Sequence, residues 1–408
     1  MVRAAAKNHE RVAIVTDPDD YACVIEELRS ADGSLSANTR RALAGRAFAH
    51  TAAYDAAIAD YLAARIEPDA PMPSRFGLVG QRLHPLRYGE NPHQPAAVYR
   101  VGPANAPGSL VDAEQLHGKE LSFNNLVDAA AAMEVVGRLA ALPSGTRRVA
   151  AAVIKHTNPC GAAVAPDAGD AVEHAIAGDP LAAFGGIIAV GALIDARAAE
   201  VLTGPDRFLE VVIAPAFEDD ALAMLRARWK TVRLLAVPGL GEAPAGESGQ
   251  QTAAVRLRQI PGGFVAQHAD TRAPTPASWE HHAGPVPEPG DLELGAFAEA
   301  CAASLTSNAI AIAARDGDAL RLVGGGAGQM DRVTACRLAI EKAGARVRGA
   351  VAASDAFFPF DDGPRLLIDA GVRVIVHPGG SRRDGDTFAL CDEHGVTCLV
   401  TGVRRFRH

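Results

Sequence analysis

The sequence predicts an α/β protein in which short buried strands alternate with helices. Three observations carry that expectation. Apolar β-like runs recur along the chain: VAAAVIKH at 149–156, GGIIAVGALI at 185–194, VVIAP at 211–215, VRGAVAA at 347–353 and VRVIVH at 372–377. Stretches with helical spacing of apolar residues separate them. Finally, 408 residues of which 48% are hydrophobic and 22% charged suffice to bury a sizeable core in two or three domains.

From the N-terminus, RVAIVT at 11–16 predicts a short buried strand, and Asp17 to Asp20 offer capping groups for a helix over YACVIEEL. The Ala-rich stretch 36–66 predicts one or two helices. The Pro-rich PDAPMPSRFG after it marks a domain boundary near residue 70. Two stretches rich in chain breakers, 237–251 and 272–291, read as surface loops or a subdomain junction. IAIAARDGDALRLVG at 310–324 has apolar runs on either side of Arg315, Asp316 and Gly317, a hairpin signal. No internal repeat is evident in the residues.

Several function classes are excluded. A net charge of −8 supplies no basic field for nucleic acid or anionic lipid. The six cysteines lie far apart, unlike a disulfide scaffold, so reduced thiols and a cytoplasmic address are expected. MVRAAAKNHERVAIV places charges on both sides of a short apolar run and fails as a signal peptide. No uncharged run approaches membrane-spanning length.

Candidate chemistry gathers in a few segments. VAAAVIKHTNPCGAA ends a buried strand with adjacent Lys155 and His156, then turns at Asn158, Pro159 and Gly161. Polar groups at the carboxyl end of an α/β strand often face a ligand crevice; a solvated strand end is the alternative. LRYGENPHQ (86–94) sets Arg87, Tyr88, Asn91, His93 and Gln94 in a tight loop that suits bidentate binding of a phosphate, or is an ordinary surface turn. In QLHGKELSFNNLVDAAAAMEVV, Lys119, Ser122, Asn124 and Asn125 precede a helix, as anion ligands or as capping by Asn125. GGGAGQMDRV (324–333) is either a phosphate turn or close backbone packing, and lacks the Walker and dinucleotide patterns. SDAFFPF sets Phe357 beside Phe358, which cannot easily both face one core, so one of them is a candidate to line a slot for a flat ligand. HPGGSRRD forms a Gly-Gly-Ser nest flanked by Arg382 and Arg383, a candidate anion site at a helix start. Cys391, His394 and Cys398 have ligand-like spacing but no evident fourth ligand, so no metal is assigned. The HxE and PCxxC of zinc deaminases and the G-x-S-x-G elbow of hydrolases are absent.

Taken in order, LRYGENPHQ, GKELSFNN, KHTNPCG, DPLAAFGGI, FLEVVIAP, TSNAI, GAGQMDR, SDAFFPF, PGGSRRD and TGVRRFRH closely resemble the transformylase part of the AICAR transformylase/IMP cyclohydrolase family, from about residue 80 to His408. The resemblance implies two cytidine-deaminase-like subdomains, at 75–271 and 290–408, without the deaminase zinc. Residues 1–70 look like the tail of the family's methylglyoxal-synthase-like cyclohydrolase domain and a helical linker. Lys7 matches one cyclohydrolase residue, but ring closure is not expected of such a remnant.

The implied reaction moves a formyl group from the co-substrate 10-formyltetrahydrofolate to the 5-amino group of AICAR. By match to the family's motifs, His156 would take the amine proton and Lys155 would steady the folate nitrogen or the oxyanion. Asn308 would hold the formyl oxygen, and His408 would close the site. Arg87, Tyr88, Lys119, Asn124 and Arg404 would position the ribotide. Phe357, Pro359, Phe360 and Asp362 would form the folate slot, with Phe184 and Glu210 nearby. A homodimer with active sites at its interface is implied, and nucleic acid or membrane partners are not. Many bacterial relatives have Lys at Thr306, His at Arg405, Gln at His377 and Ser at Ala182. Retention of Lys155, His156 and Asn308 favours a catalyst over an inactive ribotide-binding or assembly subunit, because such groups suit a transition state rather than simple affinity.

Overall fold

The structure, a computed structural model, describes residues 1–68, 70–143, 148–242 and 255–408. From residue 243 on, the expected loop at 237–251 lies outside the described residues. Contacts divide the chain into two compact units: Met1–His84 with Val98–Pro103, and Pro85–Ala97 with Ala104–His408.

The first unit is helical: α1 (Val2–Lys7), α2 (Tyr21–Ser30) and the 30-residue α3 (Ala37–Ile66). Its core is small, with Ala6 of α1 buried against Ala44 and Ala47 of α3. Ser36 caps α3 by accepting the Thr39 N–H, and Asp17 caps the short 3-10 turn before α2. The strand expected at 11–16 is not formed. Ile14 packs against the alanine cluster, but no described strand lies beside the segment to complete a ladder. β1 (Gln81–Leu86) and β2 (Ala96–Arg100) then form a two-stranded sheet.

The second unit is built on one twelve-stranded mixed sheet. Its elements run β3 (Glu114–His117), α4 (Phe123–Ala140), β4 (Val149–Lys155), β5 (Asn158–Ala165), α5 (Ala168–Ile176), α6 (Pro180–Ala183), β6 (Gly186–Val190), α7 (Ala196–Leu202), β7 (Leu209–Ala214), α8 (Asp219–Arg228) and β8 (Arg233–Ala236). A separate ribbon, β9 (Val255–Ile260) and β10 (Gly263–His268), follows. Then come β11 (Glu280–Ala283), α9 (Pro289–Ala302), β12 (Ile310–Asp316), β13 (Ala319–Gly326), α10 (Arg332–Ala343), β14 (Val351–Ser354), α11 (Asp362–Asp369), β15 (Val374–His377), α12 (Asp384–His394) and β16 (Thr397–Val400). The expected loop at 272–291 thus contains an edge strand, β11, paired antiparallel with β16.

A repeat that the residues conceal is plain in the topology. Outward from the centre, one half of the sheet reads β5-β4-β6-β7-β8-β3 and the other β13-β12-β14-β15-β16-β11. Each half is an antiparallel hairpin, then three parallel strands, then an antiparallel edge strand that comes first in sequence. The halves join where β5 meets β13 antiparallel, with Val164 opposite Leu320. Each hairpin tip therefore lies beside the open end of the other hairpin.

Both sheet faces are covered, which explains the unbroken apolar runs. Along β4, Ala150, Ala152 and Ile154 face the core shared with α4 and α9, while Ala151 and Val153 face α5 and α7. In the second half, α10, α11 and α12 cover the outer face. The glycines at 324–326 belong to β13, and a Cβ at Gly326 would stand 2.0 Å from the Ala335 carbonyl of α10. Close packing, not a phosphate turn, explains that run. Gly161 does the same in the first half, 1.8 Å from the Ala175 carbonyl of α5.

Candidate functional site

Lys155 and Asn158 face each other across β4 and β5, so His156 and Thr157 alone form the hairpin turn. The turn comes two residues earlier than Asn158, and Pro159 lies inside β5 at a bulge. Both turn residues are left-handed, with φ of +52° at His156 and +63° at Thr157. A two-residue hairpin of this kind prefers Asn-Gly, and an L residue with a Cβ costs roughly 1–2 kcal/mol there. The cost is met by anchors. Thr157 N–H donates to Asp128 of α4 at 2.7 Å, and the Arg407 guanidinium donates to the Thr157 carbonyl at 3.1 Å. Asn158 Oδ1 accepts from the N–H (2.9 Å) and the hydroxyl (3.1 Å) of Thr306. The result is an exposed His156 at a rigid tip beside a half-buried Lys155, whose Nζ donates to the carbonyls of Phe184 and Gly185, each at 3.0 Å. Lys155, Asn158, Cys160, Asp179, Ala182 and Lys342 line a cavity of about 170 Å³.

Asn308 sits in a buried polar network. Its Nδ2 donates to the Gln329 carbonyl at 2.9 Å, and its Oδ1 accepts from Arg332 Nη2 at 2.6 Å. Arg332 also donates to Ser354 Oγ at 2.9 Å and pairs with Asp355, which is fully buried. Ser307 Oγ donates to the other Asp355 oxygen at 2.5 Å. Removing one partner from such a pair leaves an uncompensated buried charge, so these groups define one another's positions.

Helix α4 links three clusters along one polar stripe, Asn124, Asp128, Glu134 and Arg138, roughly 21 Å of helix at 1.5 Å per residue. At its start Ser122 and Asn125 form a reciprocal capping box, so Ser122 is the N-cap and Asn125 the third-position partner. Asn125 Nδ2 also donates to Glu210 at 3.0 Å, and Asn124 Nδ2 to the Glu90 carbonyl at 3.4 Å. Beside this end, Arg87, Tyr88, Lys119, Ser122 and Arg233 line a cavity of about 340 Å³. The Arg87 guanidinium lies 5.5 Å from the Tyr88 ring centroid. Three cations converge there against two acidic residues, Glu120 in the lining and Glu210 3.7 Å from Arg233, and the cations can present donors to a phosphate.

At the other end of α4, Arg138, Arg256, Arg404, Phe406, Arg407 and His408 line a cavity of about 780 Å³. The Arg404 guanidinium stacks 4.7 Å from the Phe406 ring centroid, and that ring lies 5.5 Å from His408. Burial pushes the Glu134 carboxyl up, but Arg256, Arg407 and Arg138 outweigh it and hold it below the usual range. Burial likewise pulls the Arg407 guanidinium below its ordinary value. Arg405 is buried, donating to Glu299 at 2.8 Å and to Asp270 at 3.1 Å, and its N–H to the Asp355 carbonyl at 2.8 Å. That backbone bond ties the C-terminal tail to the Asn308 network.

The remaining predicted positions are more dispersed. After β14, Phe358 is 1% exposed, whereas Phe357 and Phe360 are 39% and 51% exposed. One ring fills the core and two stay available, with Pro359 and Asp362 also exposed and Arg383 lying 5.2 Å from the Phe360 ring. Phe184 is exposed, 5.5 Å from Phe208, over a separate cavity of about 220 Å³. Glu210 faces Asn125 and Arg233 in the Arg87 cluster. The glycine nest after β15 is already filled: Asp384 Oδ2 accepts from the N–H groups of Gly380 (2.7 Å) and Ser381 (3.0 Å). The chain's own carboxylate takes the place expected for an external anion.

Three of the thiols are poor nucleophiles. Burial pushes Cys160 and Cys336 up to about 12, and Cys301 higher still. Cys391 and Cys398 are buried while His394 is exposed, and among the described residues no cluster of His, Cys, Asp and Glu is gathered as for a metal. Among the described residues, no helix is long and apolar enough to cross a membrane. Reading the sequence missed Asp128, Arg233, Asp355, Arg332 and Arg407 as site residues. The last three lay inside the quoted motifs SDAFFPF, GAGQMDR and TGVRRFRH, where the aromatic, glycine and terminal residues drew attention instead.

Residues 5–342 match the family model of the AICARFT/IMPCHase bienzyme. Across its whole length the chain is 46% identical, over 413 residues, to the bifunctional purine biosynthesis protein PurH of Cutibacterium acnes, of which 74% is covered. It is 43% identical to the proteins of that name from Acidithiobacillus ferrooxidans and Synechococcus elongatus, again over the whole chain and 75% of each relative. The chain thus spans about three quarters of the relatives it matches.

Proposed function

The chain belongs to the AICARFT/IMPCHase bienzyme family, and on that premise we propose that it transfers a formyl group from 10-formyltetrahydrofolate to the 5-amino group of AICAR, giving FAICAR, in purine biosynthesis. The observation that carries this reading is the hairpin tip, where His156 occupies a costly left-handed position beside Lys155 and is held by anchors from three segments. Chains retain such positions where a side chain is needed at that point.

The amine of AICAR is a weak nucleophile, because its lone pair is delocalised into the imidazole and tied to the carboxamide. A base must take its proton during attack, and donors must stabilise the tetrahedral oxyanion. The folate co-substrate supplies an electrophilic formyl carbon. His156 is the base, worth about 10²–10⁴ in rate. Lys155 and Asn308 donate to the oxygen and nitrogen that gain charge, a contribution of similar size. Arg87, Tyr88, Lys119 and Asn124 hold the ribotide, with Arg233 as a further cation toward its phosphate. Phe357, Pro359, Phe360 and Asp362 take the flat pterin, Arg404 joins the residues that hold the ribotide, and His408 closes the site. The exposed aromatic rings after β14 support that slot.

The two six-stranded halves support two cytidine-deaminase-like subdomains, and residues 1–70 fit a separate cyclohydrolase-type segment. The chain works as a cytoplasmic homodimer in which two copies complete each site: Phe184 lies by Phe208 and Glu210 by Asn125, while the Phe357 and Phe360 rings stay exposed. Steady-state kinetics with calorimetry test the division of labour. His156→Ala should lower kcat by about 10²–10⁴ with ribotide binding nearly unchanged. Arg87→Ala should weaken ribotide binding by roughly 10- to 100-fold, as for a lost charge-assisted bond. Equal losses of binding in both variants would sink the assignment.

A further inference from the structure

We infer that Arg332 is a positioning residue that fixes the Asn308 amide as a pure hydrogen-bond donor toward the reacting formyl oxygen. The inference rests on the formyl-transfer reading. An amide side chain can present either its oxygen or its nitrogen, and the two are nearly alike in shape. Here both neighbours demand one orientation. A guanidinium has donors only, so Arg332 Nη2, at 2.6 Å, must face Oδ1. The Gln329 carbonyl is an acceptor only, so at 2.9 Å it must face Nδ2. Arg332 cannot turn away, because Asp355, Ser354 Oγ at 2.9 Å and the Ala309 carbonyl at 3.4 Å hold its other nitrogen, and it is 8% exposed. One N–H of Nδ2 remains after the bond to Gln329. That hydrogen suits an oxygen gaining negative charge, whereas a flipped amide would offer a lone pair and repel it.

The test is a double-mutant cycle in the full chain, with formyl transfer and thermal melting measured on each variant. Arg332→Lys keeps a cation for Asp355 but loses the fork that reaches Asn308. It should lower kcat about 10- to 100-fold with ribotide KM within about threefold, and cause no further loss in the Asn308→Ala background. A second variant guards against a folding artefact. Asn308→Asp pairs with Arg332 and so stays folded, but offers only acceptors, and its kcat should fall at least as far as that of Asn308→Ala. Additive losses in the cycle, or wild-type turnover in Asn308→Asp, overturn the inference while formyl transfer stands. An inactive wild type overturns both.

Discussion

The two halves of the large sheet share every strand pairing and differ in what they place at equivalent points. The first-half hairpin turns on His156 and Thr157, both left-handed, and is anchored by Asp128, Thr306 and Arg407. Its counterpart turns on Gly317 and Asp318, with Gly317 at φ +57° and open space around it, and Asp316 pairs with Arg321 at 3.0 Å. The sheet edges show the reverse asymmetry. β14, β15 and β16 lead into buried polar groups, Ser354 and Asp355, His377 and Thr401, whereas β6, β7 and β8 end on Val190, Ala214 and Ala236. Because β5 meets β13 antiparallel, the costly tip of one half lies beside the polar edge of the other. A duplicated architecture has been specialised in complementary ways, with reactive groups at one junction and ordinary turn chemistry at the other.

Exchanging the tips breaks the comparison most sharply. Replacing His156→Gly together with Thr157→Asp should abolish turnover, a loss of at least about 10²-fold, while raising stability by about 1 kcal/mol as strain is relieved. Chemical denaturation and turnover measured on one preparation check both signs.

His377 provides the next largest effect. It is fully buried, accepts the Gly379 N–H at Nδ1, and burial pulls it from 6.5 down to about 4. The unfolded chain therefore binds this proton first as pH falls. The stability it supports is complete above pH 6.5 and is lost as pH drops toward 4, roughly 3 kcal/mol at 1.36 kcal/mol per unit. His377→Gln should flatten the melting temperature across that window, and an unchanged acid dependence would remove His377 as its cause.

Gly317→Ala gives the smallest effect. Nothing surrounds the site, so only the backbone angle opposes a Cβ, and the variant should lose about 1 kcal/mol with turnover intact. A loss of activity there would mean that the second tip also serves the chemistry.

The sequence made the strands at 149–155, 209–214 and 374–377 legible, because strands buried on both faces read as continuous apolar runs. The hairpin at 310–326 was equally clear from the Asp316-Gly317 pair, although the turn itself falls on Gly317 and Asp318. The first hairpin was displaced by two residues because His and Thr are poor turn formers, while Asn158 and Pro159 look like turn residues. The repeat was hidden since what the halves share is topology and helix-facing glycines such as Gly161 and Gly326, whereas their tips and edges diverge in residue type. RVAIVT has strand propensity, but propensity without a neighbouring strand makes no ladder. At the site, adjacent Lys155 and His156 were visible, but the network of Arg332, Asp355 and Ser307 joins segments about twenty to fifty residues apart that only the fold brings together.

The central claim is that this chain is a formyl-transfer catalyst. Its most direct test follows tetrahydrofolate and FAICAR formation by the purified full chain, supplied with AICAR and 10-formyltetrahydrofolate. Stoichiometric turnover that saturates in both substrates is the predicted result. Calorimetry showing AICAR binding without any turnover would contradict it and leave a ribotide-binding subunit in its place.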